Sequence, residues 1–248
     1  MNSHPEDLRN PLSVLIEAFS QFEVRDLTHA LEEGIPFFPT HSRFYHLDAN
    51  RDDDQAILFQ ILMHEHNGTH VDAPAHCMAG VPDADRDYLE SVPPERLIGP
   101  AAVVDVSDNP PHLLQAESLL TWEKVNGSIE PGEAVIFNFG WHRKWRTGIH
   151  GRAFVEQYPG IDVGLAKYLL DRRVRAVGTD CLGIDCSGST ENPAHKQLLT
   201  NHILIMENLA ALDGLPRRIF LIAAPLRIRR GSGSPIRAIA LVPKQHLN

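Results

Sequence analysis

A mixed α/β fold in one domain is what this chain predicts, and three observations predict it. Apolar runs of strand length alternate with segments of helical spacing. No Ser/Gly linker, internal repeat or low-complexity tract divides the 248 residues. Hydrophobic residues make up 43% and charged residues 22%, an ordinary globular balance that can fill one sizeable core.

The first element is helical. Leu12, Leu15, Ile16, Phe19 and Phe22 recur at three- and four-residue intervals, so residues 12–22 predict an amphipathic helix. Residues 1–22 then form an N-terminal helical extension, and residues 23–248 the main domain. A short strand is expected over 23–28 before Gly34 and Pro36 break regular structure. Ile35-Pro36-Phe37-Phe38-Pro39 predicts a rigid apolar loop, because two prolines this close exclude a regular helix. Residues 56–63 have strand length and deliver the chain into a histidine-rich run. A strand at 97–106, a short helix at 117–122 and a strand at 134–139 follow. Next come a helix at 163–170, a strand at 174–177 and a helix at 194–199 leading into an apolar run at 203–206. The last strands are expected at 219–223 and 238–242, with 229–235 a loop between them.

The totals narrow the function. With 23 basic and 32 acidic residues, the formal charge of −9 disfavours nucleic acid and anionic membranes as partners. No stretch approaches the ~20 apolar residues of a membrane helix. Residues 1–7 lack a basic region followed by an apolar run, so no signal peptide is expected. Cys77, Cys181 and Cys186 are too few for a disulfide framework and fit reduced thiols in the cytoplasm. A small-molecule substrate is the remaining expectation.

Chemistry concentrates in His66-Asn67-Gly68-Thr69-His70-Val71-Asp72-Ala73-Pro74-Ala75-His76. Imidazole nitrogens and a carboxylate suit zinc, manganese or iron. One histidine there would be an ordinary loop residue; three with an aspartate in eleven positions imply a metal site. Gly68 and Pro74 make a helix improbable, so a bent loop at a strand end is expected to bring the imidazoles together. A second group lies downstream: His195 opens a short helix, and Glu207 follows four apolar residues at the mouth of a core strand. Cys77, beside His76, is read as a packing residue. The segment 141–158 is rich in His, Arg and Trp. It fits a cover over the site, a solvated loop or a subunit contact.

The histidine run resembles the signature of the cyclase family of metal-dependent hydrolases, the kynurenine formamidase- and isatin hydrolase-like proteins. Asp26-Leu27-Thr28 with Pro36-Phe37-Phe38-Pro39 resembles the family's opening segment. Gly178-Thr179-Asp180 through Asp185, Ala194-His195, Glu207-Asn208-Leu209 and Ser234-Pro235-Ile236-Arg237 occur in the family's order. The resemblance implies a swivelling β/β/α-type fold of layered mixed sheets and a homodimer or homotetramer. It implies a divalent metal, Zn or Mn, as one or two ions. His66, His70 and Asp72 would bind the first ion and His195 the second, with Asp72 and Glu207 bridging. His76 would be the general acid/base, and Phe38 would line the substrate pocket.

Such a site would cleave a small, aromatic formamide or cyclic amide. A divalent ion lowers the pKa of bound water towards ~7 and polarises a carbonyl, while a histidine moves protons near neutrality. Two departures stand out: Gly183 replaces a serine frequent in relatives, and His202 a glycine. Asn201 is expected to take the left-handed conformation at the helix end, leaving His202 solvated. Two other readings remain open, a metal-dependent lyase or cyclase and a non-catalytic metal- or ligand-binding protein.

Overall fold

The computed structural model describes residues 10–50 and 55–244. The leader-free reading of residues 1–7 lies outside the described residues. In chain order the elements are α1 (Pro11–Ser20), β1 (Phe22–Asp26), β2 (Tyr45–Asp48), β3 (Phe59–Leu62), β4 (His70–Asp72), β5 (Ile98–Asp105), β6 (Leu113–Leu114) and α2 (Ala116–Asn126). They continue with β7 (Ala134–Asn138), α3 (Arg152–Val155), β8 (Gly160–Ile161), α4 (Val163–Asp171), β9 (Ala176–Thr179), α5 (Pro193–Leu199), β10 (Leu204–Glu207), β11 (Arg218–Pro225) and β12 (Gly233–Pro243).

Three expectations change. Helix α1 stops at Ser20, and Phe22 opens β1 instead of closing the helix. Asn10 caps α1 by accepting the Leu12 N–H, and Pro11 suits its first turn. Gly233, Ser234 and Pro235, read as loop, belong to β12, because their backbones pair with Asp72, Val71 and His70. The segment His70–Asp72, also read as loop, is for that reason strand β4, held between β12 and β10.

Eight strands form one sheet in the order β1-β12-β11-β5-β7-β9-β10-β4, and the pairing of β4 with β12 closes it into a barrel-like ring. β5, β7, β9 and β10 run parallel and the other pairings in this sheet are antiparallel. Alternation along the strands makes two cores. Ala101, Val103, Ala134, Ile136, Ala176, Leu204 and Met206 face Leu221, Ala223, Ile236, Ala238 and Ala240 inside the ring. Ala102, Val104, Val135, Phe137, Val177 and Ile205 point the other way, onto Leu119 of α2, Leu165 and Leu169 of α4 and Leu198 of α5. The result is a helical layer on a doubled sheet, the mixed α/β layering that the sequence predicts in a single unit.

The same alternation places the chemistry. On β4, Val71 enters the ring while His70 and Asp72 face the helical side. On β10, Leu204 and Met206 enter the ring and Glu207 faces outward beside them.

Candidate metal centre and active site

His70 and Glu207 are cross-strand partners, so the pairing of β4 with β10 alone puts an imidazole beside a carboxylate. His70 Nε2 lies 3.5 Å from Glu207 Oε2 and 3.3 Å from Asp72 Oδ1. Its Nδ1 lies 2.8 Å from the Gly68 carbonyl, which can only accept, so that nitrogen carries the proton and Nε2 is free for a cation. Gly68, at φ +67, makes the bend that this contact needs. Asn208 Nδ2 also donates to the Gly68 carbonyl, and the Thr69 hydroxyl donates to the Asn208 carbonyl.

From the loop ahead of β4, His66 brings Nδ1 to 2.5 Å from Asp72 Oδ1. Its Nε2 lies 3.0 Å from the Ser232 hydroxyl, which donates to Glu65. After β4, Pro74–Cys77 forms one 3-10 turn that carries half-buried His76 back over the site, its ring 4.1 Å from that of His66. On the helical side, Asp185 accepts the Ala194 and His195 backbone N–H groups and lies 2.7 Å from His195 Nδ1. His195 Nε2 is thereby aimed at Glu207 Oε1, 3.1 Å away, and at Asp72 Oδ2, 3.7 Å away. The Ile184 N–H donates to Glu207 Oε1 and steadies that carboxylate.

The structure therefore brings together His66, His70, Asp72, His76, His195 and Glu207 from three separate stretches of chain. They line one cavity of about 230 Å³ with Phe38, His41, Tyr158, Gly183 and Asn192. Donor atoms fall into two overlapping sets, His66–Asp72–His76 and His70–Asp72–Glu207, each within 4.8 Å and sharing Asp72. Asp72 Oδ2 is buried and has no hydrogen-bond partner among the described residues. A carboxylate oxygen withdrawn from water without a partner is costly. The nitrogen and oxygen donor set fits a divalent cation at that point.

The electrostatics agree. Burial opposes the Asp72 charge, but the imidazoles of His66 and His76 and the hydrogen bonds from His66 and His70 overcome it and hold its pKa well below the carboxylate range. Burial opposes charge on His195 too; Glu207 and Asp185 outweigh it and raise its pKa well above the usual value. For His76 burial dominates, and its pKa falls below the usual value despite the pull of Asp72.

Other expectations resolve around the cavity. Phe38 stands at its edge, 39% exposed, 5.4 Å from the His41 ring. Cys77 packs against the helical core, and burial raises its pKa, as a packing role expects. His202, not Asn201, adopts the left-handed conformation, at φ +60. Asn201 instead donates its side-chain amide to the Gln197 carbonyl, and His202 lies exposed beside Asp87. Of residues 141–158, only Tyr158 reaches the cavity. Asp180 pins the start of that segment by accepting the N–H groups of Trp141 and His142, and Trp141 Nε1 donates to the Phe154 carbonyl.

Sequence reasoning missed His41, Tyr158, Ser232 and Glu65. His41 stacks on His64 with ring centroids 4.0 Å apart, and its pKa is lowered to about 4 by burial first and the neighbouring imidazoles second. Asp185 stood inside a quoted motif without a role; its place ten residues before His195 in the sequence was the available signal.

Comparison with known proteins bears on the family and the fold. The Cyclase family model ("Putative cyclase") matches residues 25–186. An isatin hydrolase of Roseibium aggregatum is 36% identical over 203 residues, covering 74% of each chain. A kynurenine formamidase of Salinibacter ruber is 32% identical over 194 residues, covering 77% of this chain and 82% of that one. Among solved structures, an isatin hydrolase bound to the product analogue thioisatinate superposes with a TM-score of 0.87 at 30% identity, covering 95% of this chain and 100% of that one. An isatin hydrolase A from Ralstonia solanacearum gives 0.81 at 29% identity, covering 98% and 99%. With its histidine run, its barrel-like sheet and these relatives in agreement, the chain belongs to the cyclase family.

Proposed function

We propose that this chain is a metal-dependent amidohydrolase that opens a small aromatic cyclic amide or cleaves an aromatic formamide, of the isatin or N-formylkynurenine kind. The observation that carries the reading is the buried Asp72 Oδ2, without a hydrogen-bond partner among the described residues, at the centre of converging imidazoles and carboxylates. The ion is Zn or Mn, as one or two ions. His66, His70 and Asp72 would hold one ion and His195 a second, with Asp72 and Glu207 available to both. When bound, the metal polarises the carbonyl and acidifies water. The His76 imidazole makes no hydrogen bond to the protein among the described residues and borders the cavity. It takes a proton from the attacking water and passes it to the leaving nitrogen. Phe38 offers an aromatic face to the substrate ring.

The protein works in the cytoplasm, a reading supported by three cysteines that are all free. Among the described residues, no helix is long and apolar enough to cross a membrane. The enzyme is a homodimer or homotetramer. Support comes from the β2–β3 hairpin, whose eight strand residues are all exposed although Tyr45, Leu47 and Leu62 lie on one face and Phe59 and Ile61 on the other. A bare two-stranded hairpin is marginal in water.

The test is metal content by mass spectrometry, with hydrolysis of isatin and N-formylkynurenine before and after chelation. Bound metal, and activity lost on chelation and restored by Zn or Mn, are expected. A metal-free protein that takes up neither ion would overturn the reading.

A further inference from the structure

Tyr158 is 7% exposed, packed among Trp141, Phe154, Leu182 and Ile184 of the helical core. Its ring also forms part of the wall of the metal cavity. Its hydroxyl makes no hydrogen bond to the protein among the described residues. That oxygen is not sealed away but opens on the cavity, so its natural partner is whatever fills that space.

The chain is built to put it there. Gln157, just before, takes the left-handed conformation at φ +55, which a side-chain-bearing residue adopts at a cost of about 1–2 kcal/mol. The Tyr158 carbonyl accepts the Ser187 N–H at 2.9 Å, fixing the residue against the loop that carries Asp185. Across from the hydroxyl stands Gly183, where a Cβ would lie 3.4 Å from Oη; the missing side chain leaves the hydroxyl uncovered.

Most other side chains around the cavity are already committed; His76 is given to proton transfer, and His41, whose Nδ1 is buried with no hydrogen-bond partner among the described residues, stacks on His64 and is held neutral by burial. His70 Nδ1 is held by the Gly68 carbonyl and His195 Nδ1 by Asp185. His66 is engaged through both nitrogens, by Asp72 and Ser232. Asn192 lies on the exposed rim. Asp72, Asp185 and Glu207 accept rather than donate when ionised. Burial, reinforced by the Glu207 charge, keeps the phenol protonated.

We infer that Tyr158 is a catalytic residue whose hydroxyl donates a hydrogen bond to the carbonyl oxygen under attack. That bond strengthens as the oxygen gains negative charge. Water oxygen bonds to the carbonyl carbon and the C–N bond breaks; the nitrogen receives its proton from His76, and Tyr158 keeps its own. This rests on the amidohydrolase reading.

The test compares wild type with Tyr158→Phe, both metal-loaded, on isatin and N-formylkynurenine. Removal of one such donor is expected to lower kcat about 100-fold, with KM within a few-fold and metal content unchanged. Calorimetry should show the ring-opened carboxylate product binding about tenfold more weakly to the variant. Gly183→Ser is the companion: 3.4 Å is ordinary contact, so the serine fits, and its hydroxyl engages Oη and lowers kcat about tenfold. Unchanged kcat and product affinity in Tyr158→Phe would overturn the inference. If that variant fails to fold, a wild-type kcat in Gly183→Ser overturns it instead. Wild-type protein inert on both substrates would overturn the amidohydrolase reading and this inference with it.

Discussion

Asp185 holds His195 twice: its Oδ2 accepts the His195 backbone N–H at 3.0 Å and lies 2.7 Å from the same residue's Nδ1. One carboxylate thus starts helix α5 and turns the imidazole's other nitrogen toward Glu207 and Asp72. Under the proposed function His195 serves a metal, and an outer carboxylate partner of such a histidine sets both its orientation and its basicity. Asp185→Asn is expected to weaken divalent-metal affinity about 10–100-fold, read by competition with a chromophoric chelator. Wild-type affinity in the variant would remove Asp185 from the metal centre's support.

Gly160 governs the same loop from behind. A Cβ there would lie 2.2 Å from the Cys186 nitrogen and 2.6 Å from the Ile184 carbonyl oxygen, both backbone atoms. Gly160→Ala must therefore push away the segment carrying Asp185 and the Ile184 N–H that steadies Glu207. A stability loss of about 1–3 kcal/mol is expected, together with weaker metal binding. Denaturant unfolding and metal titration on the same preparation check both. Loss of stability with metal affinity untouched would show that the loop yields without moving its ligand partners.

His142 makes a pH signature away from the metal centre. Burial opposes its charge, but Asp180 at 2.9 Å and Asp213 at 3.3 Å outweigh it and raise its pKa above the ordinary 6.5. A raised folded pKa means that the stabilisation is complete below about pH 6.5 and is lost as pH rises through the folded value. Wild type is accordingly expected to exceed His142→Gln in unfolding free energy by more at pH 5.5 than at pH 9. Equal gaps at the two pH values would mean that the imidazole is not charged when folded.

The β2–β3 hairpin carries the assembly prediction. Tyr45 and Leu62 face each other in register on one side, with Leu47 beside them. Leu62→Glu together with Leu47→Glu places charge where a second copy would pack. The double variant is expected to run as a monomer by light scattering at concentrations where wild type is larger. An unchanged oligomer would move the interface elsewhere, and a monomeric wild type would sink the proposal.

Much of the candidate site was legible in one dimension, because four of its residues are packed into eleven positions. His66, His70, Asp72 and His76 were read from spacing and donor chemistry alone. His195 and Glu207 were read by order along the chain, since nothing local connects them to the first cluster. The secondary structure of the run was misread: three residues show no two-residue periodicity, so His70–Asp72 looked like loop until β12 and β10 supplied its hydrogen bonds. Phe22 shifted from helix to strand for a related reason. Its spacing fits the helix, but its backbone pairs with Pro243 from the far end of the chain.

The sequence by itself determined the donor set, the mixed α/β class and the family resemblance, because residue type and short spacing are local properties. Tertiary structure alone decided that His70 and Glu207 meet, since the register of two strands more than 130 residues apart is set by pairing and burial. It alone decided that Asp72 keeps one oxygen free, that Asp185 aims His195 and that Tyr158 joins the cavity wall. No local pattern records these relationships; each depends on which face of a strand or helix the closed sheet turns toward the same small space.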